Sequence, residues 1–282
     1  MPLPVVTTVT EVRAAVAAAR AQGQAVGFVP TMGALHPGHA ELVRAAKRAA
    51  GFVVVSVFVN PTQFGPTEDY ATYPRTLDAD RELSAAAGGD LVFAPTVDVM
   101  YPPGADTFVD MAGLTDVLEG PSRPGHFRGV CTVVLKLLNI VRPEVAVFGA
   151  KDAQQARVVR KMVRDLDVPV TIQVEPTVRE PDGLAMSSRN RYLSPAERAV
   201  APRIYQALQA ARGRALAGEV DAARLQSALE SELAAIPGAR VDYAAVVDDE
   251  TLRPLARIDR PALVAVAVRL GTTRLIDNVT IP

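Results

Sequence analysis

Residues 25–50 read AVGFVPTMGALHPGHAELVRAAKRAA, and the order of parts within that stretch decides the fold. The apolar run over 25–29 reads as a buried strand and residues 30–37 as a loop. Residues 38–50 read as a helix, with Leu42, Val43, Ala46 and Ala49 at helical spacing and Gly51 closing it. The next run, FVVVSVFV over 52–59, is rich in β-branched residues without alternation, as expected of a strand covered on both faces of a parallel sheet. Strand, loop, helix and strand make a βαβ unit. The tetrad His36-Pro37-Gly38-His39 falls at the start of its helix, where unpaired N–H groups and the helix dipole attract anions.

The alternation continues with a helix over 76–87, a strand over 90–94, a helix over 130–141, a strand over 145–148, a helix over 152–166 and a strand over 171–174. A further helix over 8–22 opens on the capping-box spacing of Thr8 and Glu11. Such alternation specifies an α/β class with a doubly wound parallel sheet. After residue 175 the pattern changes. Ser194, Pro195 and Glu197 start a helix expected over 195–217, a second follows over 222–235, and strand-like runs cover 241–247, 263–270 and 273–279. The expectation is a first domain over 1–177 and a smaller α+β domain over 178–282, hinged at about 176–183.

Composition narrows the function classes. With 30 Lys and Arg against 31 Asp and Glu the net charge is −1, without the basic excess of a nucleic-acid binder. No apolar run is long enough to span a bilayer, and the N-terminus lacks a basic-then-apolar leader, so a cytoplasmic protein without membrane or nucleic-acid partners is expected. The single cysteine, Cys131, lies in an apolar run and reads as a small buried hydrophobe.

Two further clusters share the anion-binding logic of the His36 and His39 pair, and an amide-rich loop stands beside them. Lys151-Asp152 follows the strand over 145–148 and opens a helix whose first turn holds Gln154 and Gln155. A lysine beside a helix N-terminus opposes the dipole unless an anion lies between them. Met186-Ser187-Ser188-Arg189, with Arg179 and Arg191 nearby, joins small hydroxyls to guanidinium forks suited to polyphosphate. The amide-rich loop 60–66, which contains Gln63, leaves the carboxyl end of its strand as a candidate site wall. Asp78 and Asp80 stand where they can either contact a magnesium ion brought in by a nucleotide or favour a helix dipole. No Walker A, dinucleotide fingerprint or HExxH is present.

Seven ordered blocks, PTMGALHPGH, FVNPTQFG, YPRTLDAD, LEGPSRPGHFRGV, GAKDAQQ, DGLAMSSRNRYL and LGTTRLIDN, together resemble the pantoate–β-alanine ligase family of the HxGH nucleotidyltransferase-like superfamily. The resemblance implies a Rossmann-like first domain, a smaller C-terminal α+β lid domain and a homodimer. It implies ATP, pantoate and β-alanine as partners, with Mg2+ accompanying ATP. The implied reaction joins pantoate to β-alanine through an enzyme-bound pantoyl adenylate, releasing pyrophosphate and AMP.

Position by position, His39 is similar to the family's proton donor, with His36 beside it and Lys151 as a charge clamp. The ATP segments fall on Met32, Gly33, Ala34, Leu35, His36, Pro37, Gly38 and His39. They continue on Gly149, Ala150, Lys151 and Asp152, then on Val178, Met186, Ser187, Ser188 and Arg189. Gln63 and Gln155 match the residues that contact pantoate, Gln63 also bordering the β-alanine site, and no protein metal ligand is implied. The chain departs from the family pattern at Ala150, commonly Glu, and at Ala153, commonly an aromatic residue.

Overall fold

Thr8 and Glu11 form the capping box their spacing suggests: Glu11 N–H donates to Thr8 Oγ1 at 3.3 Å while Glu11 Oε2 accepts from Thr8 N–H at 2.9 Å. In the computed structural model, which describes residues 2–66 and 68–282, this box starts α1 (Val9–Ala21) behind a short strand β1 (Val5–Val6). The chain continues through β2 (Val26–Thr31), α2 (Pro37–Ala49), β3 (Phe52–Val57), a 3₁₀ turn Pro61–Gln63, α3 (Leu77–Ala86) and β4 (Leu91–Phe93). Two short helices, α4 (Val97–Met100) and α5 (Glu119–Ser122), precede α6 (His126–Val141) and β5 (Val145–Gly149). A 3₁₀ turn Ala150–Asp152 runs into α7 (Ala153–Asp165), and β6 (Thr171–Glu175) follows.

These strands form one parallel six-stranded sheet in the order β1-β4-β3-β2-β5-β6. Val53, Val54, Val55 and Ser56 are fully buried, as the lack of alternation in β3 requires. Val29, Val43, Ala46, Val53, Val55 and Val147 share one apolar cluster, and each wholly buried valine contributes about 1.5 kcal/mol or more. Gly27 lets α2 sit close on β2: a Cβ there would stand 3.2 Å from Ala46 O and 3.1 Å from Ala50 Cβ. The two-residue β1 is too short to leave a sequence pattern, and its pairing with β4 alone defines it.

By contact density the chain divides into two compact units. The first runs up to Ala150 and takes in Gln155–Pro176; the second comprises Lys151–Gln154 and Thr177–Pro282. The second unit holds α8 (Pro195–Val200), α9 (Arg203–Leu216), α10 (Ala222–Ala234) and an antiparallel sheet β7 (Ala239–Asp248), β8 (Ala262–Leu270) and β9 (Thr273–Ile281). Leu208, Leu225, Leu229 and Leu233 pack with Val264, Val266 and Val268 in its core. The single helix expected over 195–217 is broken between Val200 and Arg203. Pro202 has no N–H to bond the preceding turn, and its ring crowds the carbonyl four residues back. Among the described residues no helix is long and apolar enough to cross a membrane.

Candidate active site

From β2 the chain builds β3 and β4 on one side, then returns to place β5 and β6 on the other. The crevice at such a reversal, outside the carboxyl ends of the strands, is where open α/β sheets bind ligands. Phe28 pairs with Ala146 across β2 and β5, and the register carried on sets Thr31 level with Gly149. The loop bearing His36 and the turn beginning at Ala150 therefore leave neighbouring strand ends.

At the first of these ends two imidazoles cap α2. His36 is the N-cap residue; its Nδ1 accepts from Gly38 N–H at 3.1 Å, and its own N–H donates to His39 Nδ1 at 3.2 Å. The rings stand 4.1 Å apart between centroids, and Pro37 occupies the first helical position. This is a capping box in which imidazoles replace the usual hydroxyl and carboxylate. Because both Nδ1 atoms accept, the proton of each neutral ring resides on Nε2, so each ring can donate only through that nitrogen.

The loop between β2 and α2 is held by Asp80, which is 1% exposed. Asp80 Oδ1 accepts from Leu35 N–H at 2.7 Å and from Thr76 Oγ1 at 3.1 Å, and its Oδ2 accepts from Ala34 N–H at 3.1 Å. Ala34 has φ +50° and Gly33 φ +86°, and a Cβ on Gly33 would meet Asp80 Oδ2 at 2.9 Å. These bonds give Asp80 a loop-holding role that neither sequence alternative names, while Asp78 is exposed in the first turn of α3. Among the described residues no group of three His, Cys, Asp or Glu side chains is placed to hold a metal ion.

Gln63 lies just beyond the end of β3 in a turn that Asn60 organises. Asn60 Oδ1 accepts from Thr62 N–H at 3.3 Å and Tyr101 Oη at 2.9 Å; its Nδ2 donates to Gln63 Oε1 at 3.1 Å and Gly129 O at 3.2 Å. Among the described residues, Gln63 Nε2 faces a weak acceptor, Met32 Sδ, at 3.0 Å. Its amide is therefore fixed through its oxygen and poised to donate through its nitrogen. The sequence places Asn60 in the amide-rich loop 60–66 without assigning its capping role; the signal for that role is an amide just before proline at a strand end. Gln155 is half-buried on α7.

Within the second unit, Lys151 is joined to β9 by Asn278 Nδ2, which donates to Lys151 O at 2.9 Å. Its ammonium, on a side chain 21% exposed, stands 3.6 Å from Asp152 Oδ1. Val178 O accepts Met186 N–H at 3.0 Å, and Arg179 bridges Ala185, which brings Val178 beside Met186. Ser187 Oγ then accepts Arg189 N–H at 3.2 Å and starts a 3₁₀ turn Ser188–Tyr192. Arg179 differs from the anion-binding expectation: it clamps Asp277 with two bonds of 2.6 and 2.9 Å and stacks 3.5 Å from the Tyr205 ring centroid. Arg191 is exposed and donates to Ser188 O at 2.9 Å.

Cys131 is fully buried, and burial pushes its thiol up to about 11, so it behaves as a small apolar group. His126 stands apart from the histidine pair, bonded to the main chain of Gln63.

A profile of the pantoate–β-alanine ligase family matches residues 4–280. A pantothenate synthetase of Moorella thermoacetica is 56% identical over 274 residues, covering 97% of both chains. One from Chloroflexus aurantiacus is 56% identical over 277 residues, covering 98% of this chain and 97% of its own. Among solved structures, a pantothenate synthetase of Thermus thermophilus superposes with a TM-score of 0.93 at 53% identity, covering 98% of this chain and 99% of that one. A pantoate–β-alanine ligase of Francisella tularensis, complexed with beta-gamma ATP and beta-alanine, gives 0.79 at 34% identity, covering 98% of this chain and 97% of its own.

Proposed function

We propose specific roles for the residues above from the premise that this chain belongs to the pantoate–β-alanine ligase family. The reaction is the ATP-dependent condensation of pantoate with β-alanine. A carboxylate oxygen of pantoate attacks the α-phosphorus of ATP and pyrophosphate leaves. The amine of β-alanine then attacks the acyl carbon of the bound adenylate, forming the amide and expelling AMP.

The observation that carries the residue assignment is the pair of Nδ1-anchored imidazoles at the switch-point end of β2. Their Nε2–H donors, at a helix N-terminus, suit the charge that builds on the phosphates as pyrophosphate departs. His39 acts as the proton donor there and His36 as its partner. The backbone of Met32, Gly33, Ala34 and Leu35, with Pro37 and Gly38, shapes the loop around the nucleotide. Lys151 and Arg189 neutralise phosphate oxygens, and Ser187 and Ser188 add short donors. Gly149, Ala150, Asp152, Val178 and Met186 complete the nucleotide contacts, several through main-chain groups that Ala150 leaves intact.

Gln63 and Gln155 hold the hydroxy acid, with Gln63 donating through the nitrogen that otherwise faces Met32 Sδ. Magnesium belongs to the substrate in this reading: it enters on the ATP phosphates, which carry it with waters and few protein ligands. The homodimer and a cytoplasmic address rest on family membership.

The test is an omission assay. With ATP, magnesium, pantoate and β-alanine present, AMP, pyrophosphate and an amide product are expected, and dropping β-alanine should leave only pantoate-dependent exchange of labelled pyrophosphate into ATP. Exchange that ignores pantoate, or an adenylated product other than the pantoyl adenylate, would overturn the reading.

A further inference from the structure

We propose that His126 is a positioning residue for the acid site: held by the Glu68–Arg123 ion pair, its ring grips the main-chain carbonyl of Gln63 and so aims that residue's amide at pantoate. This rests on the role proposed above for Gln63.

The chain of contacts is continuous. Arg123 Nε and Nη2 donate to the two oxygens of Glu68 at 2.8 and 2.7 Å, which fixes the plane of the guanidinium. Its Nη1 lies 3.0 Å from His126 Nε2, and His126 Nδ1 lies 2.8 Å from Gln63 O. A guanidinium can only donate, so Nε2 must accept; the ring proton is then on Nδ1 and is given to the Gln63 carbonyl. The tautomer is opposite to that of His36 and His39, and it is set by the ion pair.

The Gln63 turn needs such a hold. Its own main-chain bonds are long, 3.5 Å from Gln63 N–H to Asn60 O and 3.3 Å from Phe64 N–H to Pro61 O. Beside the Asn60 side chain, which caps the turn and bonds Gln63 Oε1, contacts from the first turn of α6 hold its orientation. At Gly129 a Cβ would stand 2.7 Å from Gln63 Cα, so α6 approaches the turn as only glycine allows. His126, three residues earlier and 7% exposed, adds the directional bond. A buried imidazole is a costly way to fill space, and a phenyl ring would do that without needing Arg123 and Glu68 to be ordered around it. What the imidazole adds is an N–H of fixed direction.

The experiment uses the full-length protein and compares His126→Phe, His126→Asn and Gln63→Ala in steady-state kinetics, with circular dichroism and thermal melts as fold controls. An Asn side chain carries an N–H close to the position of Nδ1 and keeps the bond to Gln63, whereas Phe keeps only the volume. His126→Phe is expected to lower kcat/KM for pantoate by about 30- to 100-fold, the cost of misplacing a binding group by an ångström or less, with KM for ATP changed less than threefold. His126→Asn should recover most of that loss. Equal pantoate kinetics for Phe and Asn at equal stability, or parallel losses for ATP and pantoate, would overturn the proposal.

Two further variants keep the outcome readable. Glu68→Gln, which preserves size and frees Arg123, should give a smaller defect that is again specific to pantoate; unchanged pantoate kinetics would remove the ion pair from the proposal and refute it as stated. If Gln63→Ala leaves pantoate kinetics unchanged, the role of Gln63 itself fails. If Gln63→Ala is severe, adding His126→Phe to it should cost little more, whereas full additivity would show that His126 acts elsewhere.

Discussion

The Asp80 carboxylate accepts the Leu35 N–H at 2.7 Å, so a buried acid on α3 ties down the loop that delivers His36 to the start of α2. The loop pays for its shape with Ala34 in the left-handed region, φ +50°, a conformation that bonds from Asp80 to two successive amides offset. Asp80→Ala would leave those amides buried without an acceptor. The expected result is a loss of about 1–3 kcal/mol of stability in urea unfolding, together with slower pyrophosphate exchange. A variant with wild-type stability and exchange would show that the loop holds itself.

His39→Ala separates chemistry from capping. The side chain caps α2 by accepting the His36 N–H, so loss of this cap should cost stability about 1 kcal/mol. Loss of an Nε2–H donor aimed at developing phosphate charge should slow adenylate formation by about 10²- to 10³-fold. Single-turnover kinetics with pantoate and ATP read this directly, and near-normal turnover in a folded variant would count against the assignment.

Much of this was legible in the residues, and the misses have physical causes. The buried run in β3 and the turn-helix order after β2 announce a βαβ unit because their periodicities differ, and Thr8 with Glu11 caps α1 as its spacing says. The sequence marks the histidine pair as a candidate anion site but not its reciprocal Nδ1 bonds, because imidazole capping lies outside the usual hydroxyl-carboxylate pattern. Asp80 and Arg179 were ambiguous in sequence, since a first-turn acid and a loop arginine are compatible with several partners. Their partners, Leu35 and Asp277, lie 45 and 98 residues away. Asn60, Arg123 and His126 escaped for the same reason: each acts through a contact that only the folded chain brings about.

Gly129→Ala should be far more damaging than a helix propensity scale suggests, since alanine is the better helix former by about 1 kcal/mol. The added methyl would stand 2.6 Å from Thr62 C and 2.7 Å from Gln63 Cα, backbone atoms that cannot rotate away. Either α6 shifts or the Gln63 turn does. The expected outcome is a net destabilisation of about 1–3 kcal/mol from overpacking, with impaired pantoate use in whatever folds. Thermal melts beside pantoate kinetics check it, and a variant as stable and active as the parent would mean that α6 has slack.

Stability should also carry the signature of His126. Burial, with the nearby Arg123 charge adding to it, pulls this imidazole from its ordinary value of 6.5 down to about 4. The unfolded chain therefore binds a proton between those two values that the folded chain refuses. Stability from this group is complete above pH 6.5 and falls as the pH drops toward 4, by about 3 kcal/mol in all. The opposite sign would require the folded ring to gain a proton, which the donating Arg123 at Nε2 opposes. In His126→Asn that component vanishes, so the urea-unfolding free energy of the parent minus that of the variant should rise by about 3 kcal/mol as the pH goes from 4 to above 6.5. Parallel profiles across this window would mean that the ring is solvated in the folded protein.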